Sequence, residues 1–354
     1  MGRHDYDNQQ PDTDSSREAS GHHQLSPGVL LARKIFFGIL LVVVVIISWG
    51  LIRASHLYTQ AKTTSQKIYA PVQVTKQRKT HTLLQQGQPI SILLMGTDTG
   101  AYGRTYTGRT DTLIVMVLNP ERKNMTLISL PRDAAVTVSG HEEEGVAKLN
   151  SAYTYGGPKA AIKTVQNYLN IPIDYYMLVN MGGLSNMVNA VGGIDIKPLL
   201  TFKYYYNFTK DKLTHMNGDM ALQYCRMRHD DPLGDYGRQT RQRQVMMAVL
   251  KKAINIKAMA TDEFLKSVTK QARTDLTFDD LTMLALKYRQ TTTKIDSTHL
   301  QGVGKEINGV DFEVASQEEK QKITNLIRKN LNLEVRTTGY DSNISPYQPL
   351  PNNQ

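Results

Sequence analysis

The chain has 354 residues, 40% of them hydrophobic and 21% charged, a balance typical of a globular protein with a sizeable core. Its net charge of +10 favours an anionic partner, such as nucleic acid, acidic lipid, phosphate or acidic polysaccharide, without choosing among them. Cys225 is the only cysteine, which excludes a disulfide framework within the chain.

An uncharged apolar run at residues 35–52 follows a polar tail at residues 1–34, which we expect to be disordered and cytoplasmic. The run is long enough for a helix that crosses a bilayer. A buried core helix and a cleaved signal peptide are the alternatives, but the residues that follow make a poor cleavage site. Basic residues flank both ends and barely discriminate the orientation. We predict a single-pass cell-membrane protein with its C-terminal domain outside the cell.

A polar segment at residues 53–88, rich in Thr, Gln, Lys and Ser, predicts an extracytoplasmic stalk. Apolar strands alternate with helical patterns over residues 89–257, and this mixture predicts one α/β domain: a central mixed β-sheet flanked by helices, an α-β-α sandwich. Residues 258–331 carry helical patterns and predict a C-terminal helical extension. Residues 332–354 are polar and rich in proline, and they predict a disordered tail.

Breakers close the predicted strands, and a proline suits the first turn of one predicted helix. In chain order, the predicted elements are strands at 91–95, 112–118 and 125–130, a helix from Pro158 to Leu169, a strand at 175–179, a helix at 184–191, a strand at 194–196, a helix after Asn217-Gly218 and a long helix from about Arg238.

Polar residues gather at the ends of these strands, where open sheets present functional groups. Asp98 follows the first strand and Asp111 begins the second. If these strands are antiparallel neighbours, both carboxylates emerge at the same edge. Two carboxylates without nearby His or Cys suit Mg²⁺. By itself the pair is explained as well by a strand cap and an Asx turn.

Arginines form two further groups. Arg109 and Arg132 lie beside strand ends, and a guanidinium matches phosphate oxygens in shape and charge. A surface salt bridge is the usual role of a single arginine. The second group surrounds the start of the long helix, where a helix N-terminus also attracts anions. A solvated charged face is the alternative for this group, which comprises Arg226, Arg228, Asp235, Arg238, Arg241 and Gln242.

Together these motifs resemble the LytR–CpsA–Psr family of cell-envelope phosphotransferases. The matching stretches are LLMGTDTG, GRTDTLIVMVLNP, SLPRDAAV, AKLNSAYTYGGP, MGGLSNMVNAVGGIDI and MNGDMALQYCRMRHDDPLGDYGRQTRQRQ, in family order. The chain departs from the family at Thr99 and the loop after it, and Arg243 interrupts the usual Arg-Gln-Gln.

The resemblance implies transfer of an anionic glycopolymer, such as wall teichoic acid or capsule, from an undecaprenyl-pyrophosphate carrier to a sugar hydroxyl of peptidoglycan. It implies Asp98 and Asp111 as Mg²⁺ ligands, and Arg132, Asp235 and Arg238 as catalytic residues. It implies a pyrophosphate site formed by Arg109, Arg132, Arg226, Arg228, Arg238 and Gln242. No nucleic-acid partner is expected.

Two other functions stay open at this stage. A hydrolase that releases lipid phosphate with water would use the same substrate class. A membrane-bound regulator without catalysis, binding nucleic acid, would fit the basic charge but needs a cytoplasmic domain, and the sequence carries no helix-turn-helix signature.

Overall fold

The computed structural model describes residues 55–56, 58–97, 108–180, 183–227, 230–253 and 262–348. The chain divides into two units, residues 1–56 and 57–354, and the architecture below belongs to the second. The predicted tail at residues 1–34 and the predicted span at residues 35–52 lie outside the described residues. Among the described helices, none has the length and apolar character needed to cross a bilayer.

The domain is built on a six-stranded sheet with the strand order β11-β6-β1-β2-β3-β12. Strands β1, β2 and β3 pair antiparallel in sequence order, whereas β6 is parallel to β1 and β12 is parallel to β3. The predicted mixed sheet is therefore confirmed. Its strands are β1 (Ile90–Thr97), β2 (Thr110–Asn119), β3 (Asn124–Leu130), β6 (Tyr175–Asn180), β11 (Ala272–Thr274) and β12 (Lys294–His299).

Helices and short strand pairs complete the domain. Residues 58–68 are helical and are called α1. The other helices are α2 (Thr80–Gln86), α3 (Ser151–Leu169), α4 (Leu184–Ala190), α5 (Gly218–Arg226), α6 (Gly234–Ala253), α7 (Asp262–Gln271), α8 (Phe278–Lys287) and α9 (Gln317–Asn330). The two-stranded pairs are β4 (Ala135–Thr137) with β5 (Val146–Lys148), β7 (Ile194–Ile196) with β10 (Thr214–Met216), β8 (Phe202–Tyr204) with β9 (Tyr206–Phe208), and β13 (Val303–Ile307) with β14 (Val310–Val314).

Helices cover both faces of the sheet, which explains why β1 and β3 are buried along their whole length and β2 along nearly all of it. Alternate side chains of a strand point to opposite faces. Leu93 and Val115 pack in one core with residues of α3 and α9. Leu94 and Ile114 pack in a second core with residues of α2 and α8. Continuous apolar runs are what a sheet buried on both faces requires.

A further core lies under the hairpin β8–β9 and joins α4, α5 and α6. The rings of Phe202 and Phe208 stack with their centroids 4.7 Å apart, and Tyr224 of α5 lies against both. This aromatic cluster supports α5 and the long helix α6, which carry the predicted Arg226, Arg238 and Arg241.

The second half of the predicted stalk packs along an edge of the sheet. Ala70 N donates to the Thr274 carbonyl at 2.7 Å, and Lys76 forms an ion pair of 2.6 Å with Asp275. Arg78 donates to both carboxylate oxygens of the buried Asp174. Residues 69–79 therefore belong to the folded domain, because their charged side chains neutralise buried acids of the sheet edge.

The C-terminal segments differ from the helical extension and disordered tail that the sequence predicts. Residues 258–331 hold helices, but also the four strands β11 to β14, of which β11 and β12 complete the central sheet. These strands are short or polar, so they leave little apolar periodicity. Beyond them, residues 332–348 pack on the domain: Ile344 is buried, and Arg328 Nε donates to the Glu334 carbonyl at 2.6 Å.

Candidate functional site

Five strands of the sheet bring polar residues to one end, which we call the site end. Thr97 at the close of β1 pairs with Thr110 at the start of β2, and it also lies opposite Asn180 at the close of β6. Ser129 near the end of β3 pairs with His299 at the end of β12. The first two strands are antiparallel neighbours, which is the condition for a shared edge, so the chain leaves β1 and enters β2 at the same edge.

Charged side chains alternate in sign across the site end. Arg132 Nη1 donates to Asp111 Oδ1 at 2.7 Å, and Arg132 Nε lies 3.3 Å from Asp133 Oδ2. Lys148 Nζ lies 3.2 Å from the other carboxylate oxygen of Asp133. The Arg132 side chain is 20% exposed. A guanidinium that two carboxylates hold in place at a partly exposed position is suited to bind an incoming phosphate.

The turn before α3 closes against this cluster through Asn150. Its N–H donates to the Arg132 carbonyl at 2.9 Å, and its own carbonyl accepts from the Thr110 N–H at 3.5 Å. The side-chain Oδ1 of Asn150 is buried and has no hydrogen-bond partner among the residues that the structure describes. A buried acceptor without a donor costs about 1–3 kcal/mol. Asn150 is therefore a candidate acceptor for a hydroxyl or amide of a ligand, and the sequence alone offers only weak evidence for it.

The long helix α6 crosses the same end of the sheet. Gln242 Oε1 accepts from Thr112 Oγ1 at 2.8 Å, one residue beyond Asp111. Arg243 Nη1 donates to Ser129 Oγ at 2.5 Å. Burial lowers the pKa of Arg243 to about 10, which still leaves the guanidinium charged at neutral pH. Arg238 lies one turn before Gln242 on the same helix face and is 2% exposed. Helix α6 thus contacts β2 through Gln242 and β3 through the positively charged Arg243.

Arg241 fastens α6 to the end of α5. Its Nε donates to the Tyr224 carbonyl at 3.0 Å, and its two Nη atoms donate to Asp231 Oδ2 and to the Met227 carbonyl. The side chain is 2% exposed, so this is a buried ion pair whose remaining donors are satisfied by carbonyls. Arg226, the last residue of α5, thus lies between the two residues whose carbonyls accept from Arg241.

The structure brings part of the predicted site together. Asp111 and Arg132 are in direct contact, Gln242 reaches the adjacent residue of β2, and the exposed Arg109 lies two residues before Asp111. Asp98 and Arg228 lie outside the described residues. Asp235 lies in the first turn of α6, and its side chain is outside what the structure describes.

Sequence reasoning missed how Arg243, Ser129 and Thr112 take part. Arg243 interrupts the family pattern, and its contact with β3 joins segments more than one hundred residues apart. For Thr112 and Ser129, the available signal was a polar residue near the end of an otherwise apolar strand. Cys225 is a core residue of α5, and its burial raises the pKa of the thiol to about 12, which keeps the thiol protonated at neutral pH.

Within the described residues, no three His, Cys, Asp or Glu side chains approach closely enough to enclose a metal ion. Fold and site together define an α/β domain with a cluster of charged side chains at one end of its central sheet. The sequence matches the LytR_cpsA_psr family over residues 55–329, and the chain belongs to this family. The resemblance seen in the sequence motifs is confirmed.

Its relatives include a protein of Enterococcus faecalis named polyisoprenyl-teichoic acid–peptidoglycan teichoic acid transferase TagU. The two are 40% identical over 306 residues, which cover 85% of this chain and 98% of the relative. A Bacillus cereus protein of the same name is 34% identical over 306 residues, with 85% and 99% covered. These names confirm the prediction of a transferase-type enzyme.

Solved structures share the fold. The crystal structure of B. subtilis TagU is 33% identical with a TM-score of 0.58, covering 70% of this chain and 99% of that one. An E. faecalis structure described as a transcriptional regulator is 35% identical with a TM-score of 0.63, covering 72% and 91%.

Proposed function

We propose that this protein transfers an anionic glycopolymer of the teichoic acid class from a polyprenyl-pyrophosphate carrier to a sugar hydroxyl of peptidoglycan, leaving a phosphodiester link. The observation that carries the proposal is the Asp111–Arg132–Asp133 cluster at the site end of the sheet. The buried arginines of α6, which are Arg238, Arg241 and Arg243, add further positive charge to the proposed site. The names of the relatives supply the substrate class.

Charge explains why such a cluster suits a diphosphate. Arg238, Arg241 and Arg243 are nearly buried on one helix, and the buried Asp231 is paired with Arg241. Several cations close together repel one another, and a bound dianion relieves this repulsion. Positive groups fixed in a low-dielectric site stabilise developing phosphate charge more strongly than groups in water.

The proposed reaction is a displacement at phosphorus. The acceptor hydroxyl oxygen forms a bond to the phosphorus that carries the glycopolymer, and the bond from this phosphorus to the bridging oxygen breaks. The lipid leaves as its monophosphate, and the hydroxyl proton passes to a base, for which Asp235 is our candidate. Arg132 and Arg238 neutralise charge on the non-bridging oxygens, and positioning with electrostatic stabilisation supplies most of the catalysis.

A magnesium ion fits the donors on the Asp111 side of the site. Asp111 offers carboxylate oxygen, and Mg²⁺ takes one or two carboxylates together with waters and phosphate oxygens. Asp98 and Asp111 would hold the ion. When bound, Mg²⁺ supplies positive charge that stabilises the departing phosphate. In this arrangement, Asp111 also orients Arg132, so it serves both the ion and the guanidinium.

The test uses the full chain reconstituted in vesicles with a synthetic lipid-pyrophosphate-linked polymer and purified peptidoglycan. Transfer that needs both the acceptor and Mg²⁺ supports the proposal. We expect Arg132→Ala to lower the transfer rate at least a hundredfold, the size seen when one preorganised donor to transition-state charge is removed. Arg122→Ala, at an arginine in the turn between β2 and β3 at the opposite end of the sheet, is the matched control.

Three results would count against the proposal. Release of lipid phosphate at the same rate without peptidoglycan would favour a hydrolase. Unchanged transfer in Arg132→Ala would show that the Asp111–Arg132–Asp133 cluster takes no part in the reaction. Transfer by neither wild type nor variant, together with a C-terminal reporter located in the cytoplasm, would favour a regulator.

We also propose that the protein lies in the cell membrane with its catalytic domain outside the cell. Capsule polymers are a further proposed class of donor.

A further inference from the structure

A tyrosine in the first turn of α6 contacts the C-terminal strands at three points. The Tyr236 hydroxyl donates to Glu313 Oε1 of β14 and accepts from the Gly302 N–H at 2.9 Å. Its ring centroid lies 4.6 Å from that of His299 at the end of β12. Tyr236 is therefore held by three different segments, all of which lie more than sixty residues further along the chain.

Glu313 connects the same tyrosine to the loop that carries Arg132. The backbone N–H of Glu313 donates to the Asp133 carbonyl at 2.9 Å, and Glu313 forms an isolated parallel bridge with Ala134. The Asp133 side chain in turn contacts Arg132 and Lys148. One residue thus touches the arginine loop with its backbone and the start of α6 with its carboxylate.

Gly302 leaves room for this arrangement. A Cβ atom added there would lie 2.7 Å from Glu313 Cγ, closer than real Cβ atoms come to a neighbour, and 3.1 Å from Glu313 Oε1, which is tighter than most real contacts. The glycine therefore permits the Glu313 side chain to turn towards Tyr236. The contact with α6 therefore involves the backbone at Gly302 as well as the Tyr236 and Glu313 side chains.

We propose that Glu313 and Tyr236 form a clamp that sets the distance between Arg132 and Arg238, and that the hairpin β13–β14 is thereby part of the transferase site. The inference rests on the proposed function, because it concerns the same diphosphate site. Arg238 lies half a turn after Tyr236 on α6, so a shift of the first turn moves its guanidinium. Glu313 and Tyr236 are positioning residues, which act through the arginines.

The kinetic test compares variants of the full chain in the reconstituted transfer assay. We expect Tyr236→Phe and Glu313→Ala to lower kcat about tenfold to a hundredfold, the scale of a misplacement of about 1 Å. We expect the KM for the lipid donor to stay within about twofold, because alignment is needed most in the transition state. Glu313→Gln should recover most of the activity, since its amide oxygen can still accept from the tyrosine. Glu306→Ala, on the exposed face of the same hairpin, and Tyr340→Phe, at an exposed tyrosine, are matched controls.

Hydrogen exchange tests whether the clamp exists independently of whether the protein transfers a polymer. We expect faster exchange at the backbone amides of residues 238–242 in Tyr236→Phe and Glu313→Ala, and wild-type exchange in the two controls. If the wild-type protein transfers no polymer, the proposed function fails, and exchange still decides whether the clamp exists. Wild-type exchange together with wild-type kcat in Tyr236→Phe would overturn the inference. So would a Glu313→Gln variant as impaired as Glu313→Ala, because a hydrogen-bond clamp does not need the negative charge.

Discussion

Removing the acid that neutralises Arg241 is the most direct test of how α5 and α6 are held together. In Asp231→Ala, the Arg241 side chain loses its carboxylate partner but keeps the carbonyls of Tyr224 and Met227 as acceptors. The guanidinium is 2% exposed, so water cannot replace the lost carboxylate without opening the packing. The variant therefore leaves a buried positive charge that is hydrogen-bonded but not neutralised.

The expected cost follows from this burial. Removing one partner of a buried ion pair destabilises a protein by about 3–5 kcal/mol. The two carbonyls that remain favour the lower end, about 3 kcal/mol, which is a large share of a total stability of about 5–15 kcal/mol. For a domain of this size, each kcal/mol lowers Tm by about 2–4 °C, so we expect a decrease of about 6–12 °C.

Circular dichroism during heating, together with urea unfolding at 25 °C, measures this loss. Asp230→Ala is the matched control, because Asp230 is the neighbouring acid and is exposed. We expect the control to stay within about 0.5 kcal/mol of the wild type. An Asp231→Ala variant that unfolds within about 1 kcal/mol of the control would refute the reasoning, since it would mean that Arg241 reaches solvent or another acid at no cost.

Three further predictions concern other parts of the domain. Gly237→Ala should reproduce most of the Asp231→Ala destabilisation in urea unfolding, because the new Cβ would lie 1.9 Å from Asp231 Oδ2; wild-type stability would contradict this packing. Burial lowers the pKa of Lys320 from 10.5 to about 8, so the unfolded chain holds more protons between these values and stability should rise with pH from about 8 to about 10, by at most about 3 kcal/mol. Lys320→Met should abolish that rise in urea titrations at pH 7 to 10, and an equal rise in both proteins would exclude Lys320 as its source. Arg132→Lys should lower transfer at least tenfold with unfolding within about 1 kcal/mol of wild type, because an ammonium cannot replace the guanidinium that bridges Asp111 and a phosphate; full transfer would show that charge alone suffices.

Apolar runs and breakers predicted the centre of the fold well. The strands expected at residues 91–95, 112–118 and 125–130 are β1, β2 and β3, and each is longer by one or two residues at one or both ends. A strand buried on both faces must be apolar at nearly every position, so it can be recognised in the sequence as a continuous apolar run. The same argument placed Asp111 and Arg132 at strand ends, where the structure pairs them.

Edge strands carried no such signal. In β12, no residue is fully buried, and only its parallel pairing with β3 makes it a strand. The three-residue β11 is too short to show a period. Both belong to the segment predicted as helical, because the pattern of a helix is visible locally while the pairing of an edge strand depends on a distant partner.

Local sequence by itself determined the strands and helices of the centre, the strand ends that carry charge, and the family. Each is recorded in neighbouring residues, through burial that dictates periodicity or through motifs of contiguous chain. Only the tertiary structure decided that Gln242 reaches Thr112, that Arg243 reaches Ser129, and that Glu313 joins Tyr236 to the arginine loop. Those contacts join segments at least 77 residues apart in the chain, and no local period or propensity encodes which distant polar group a buried side chain will meet.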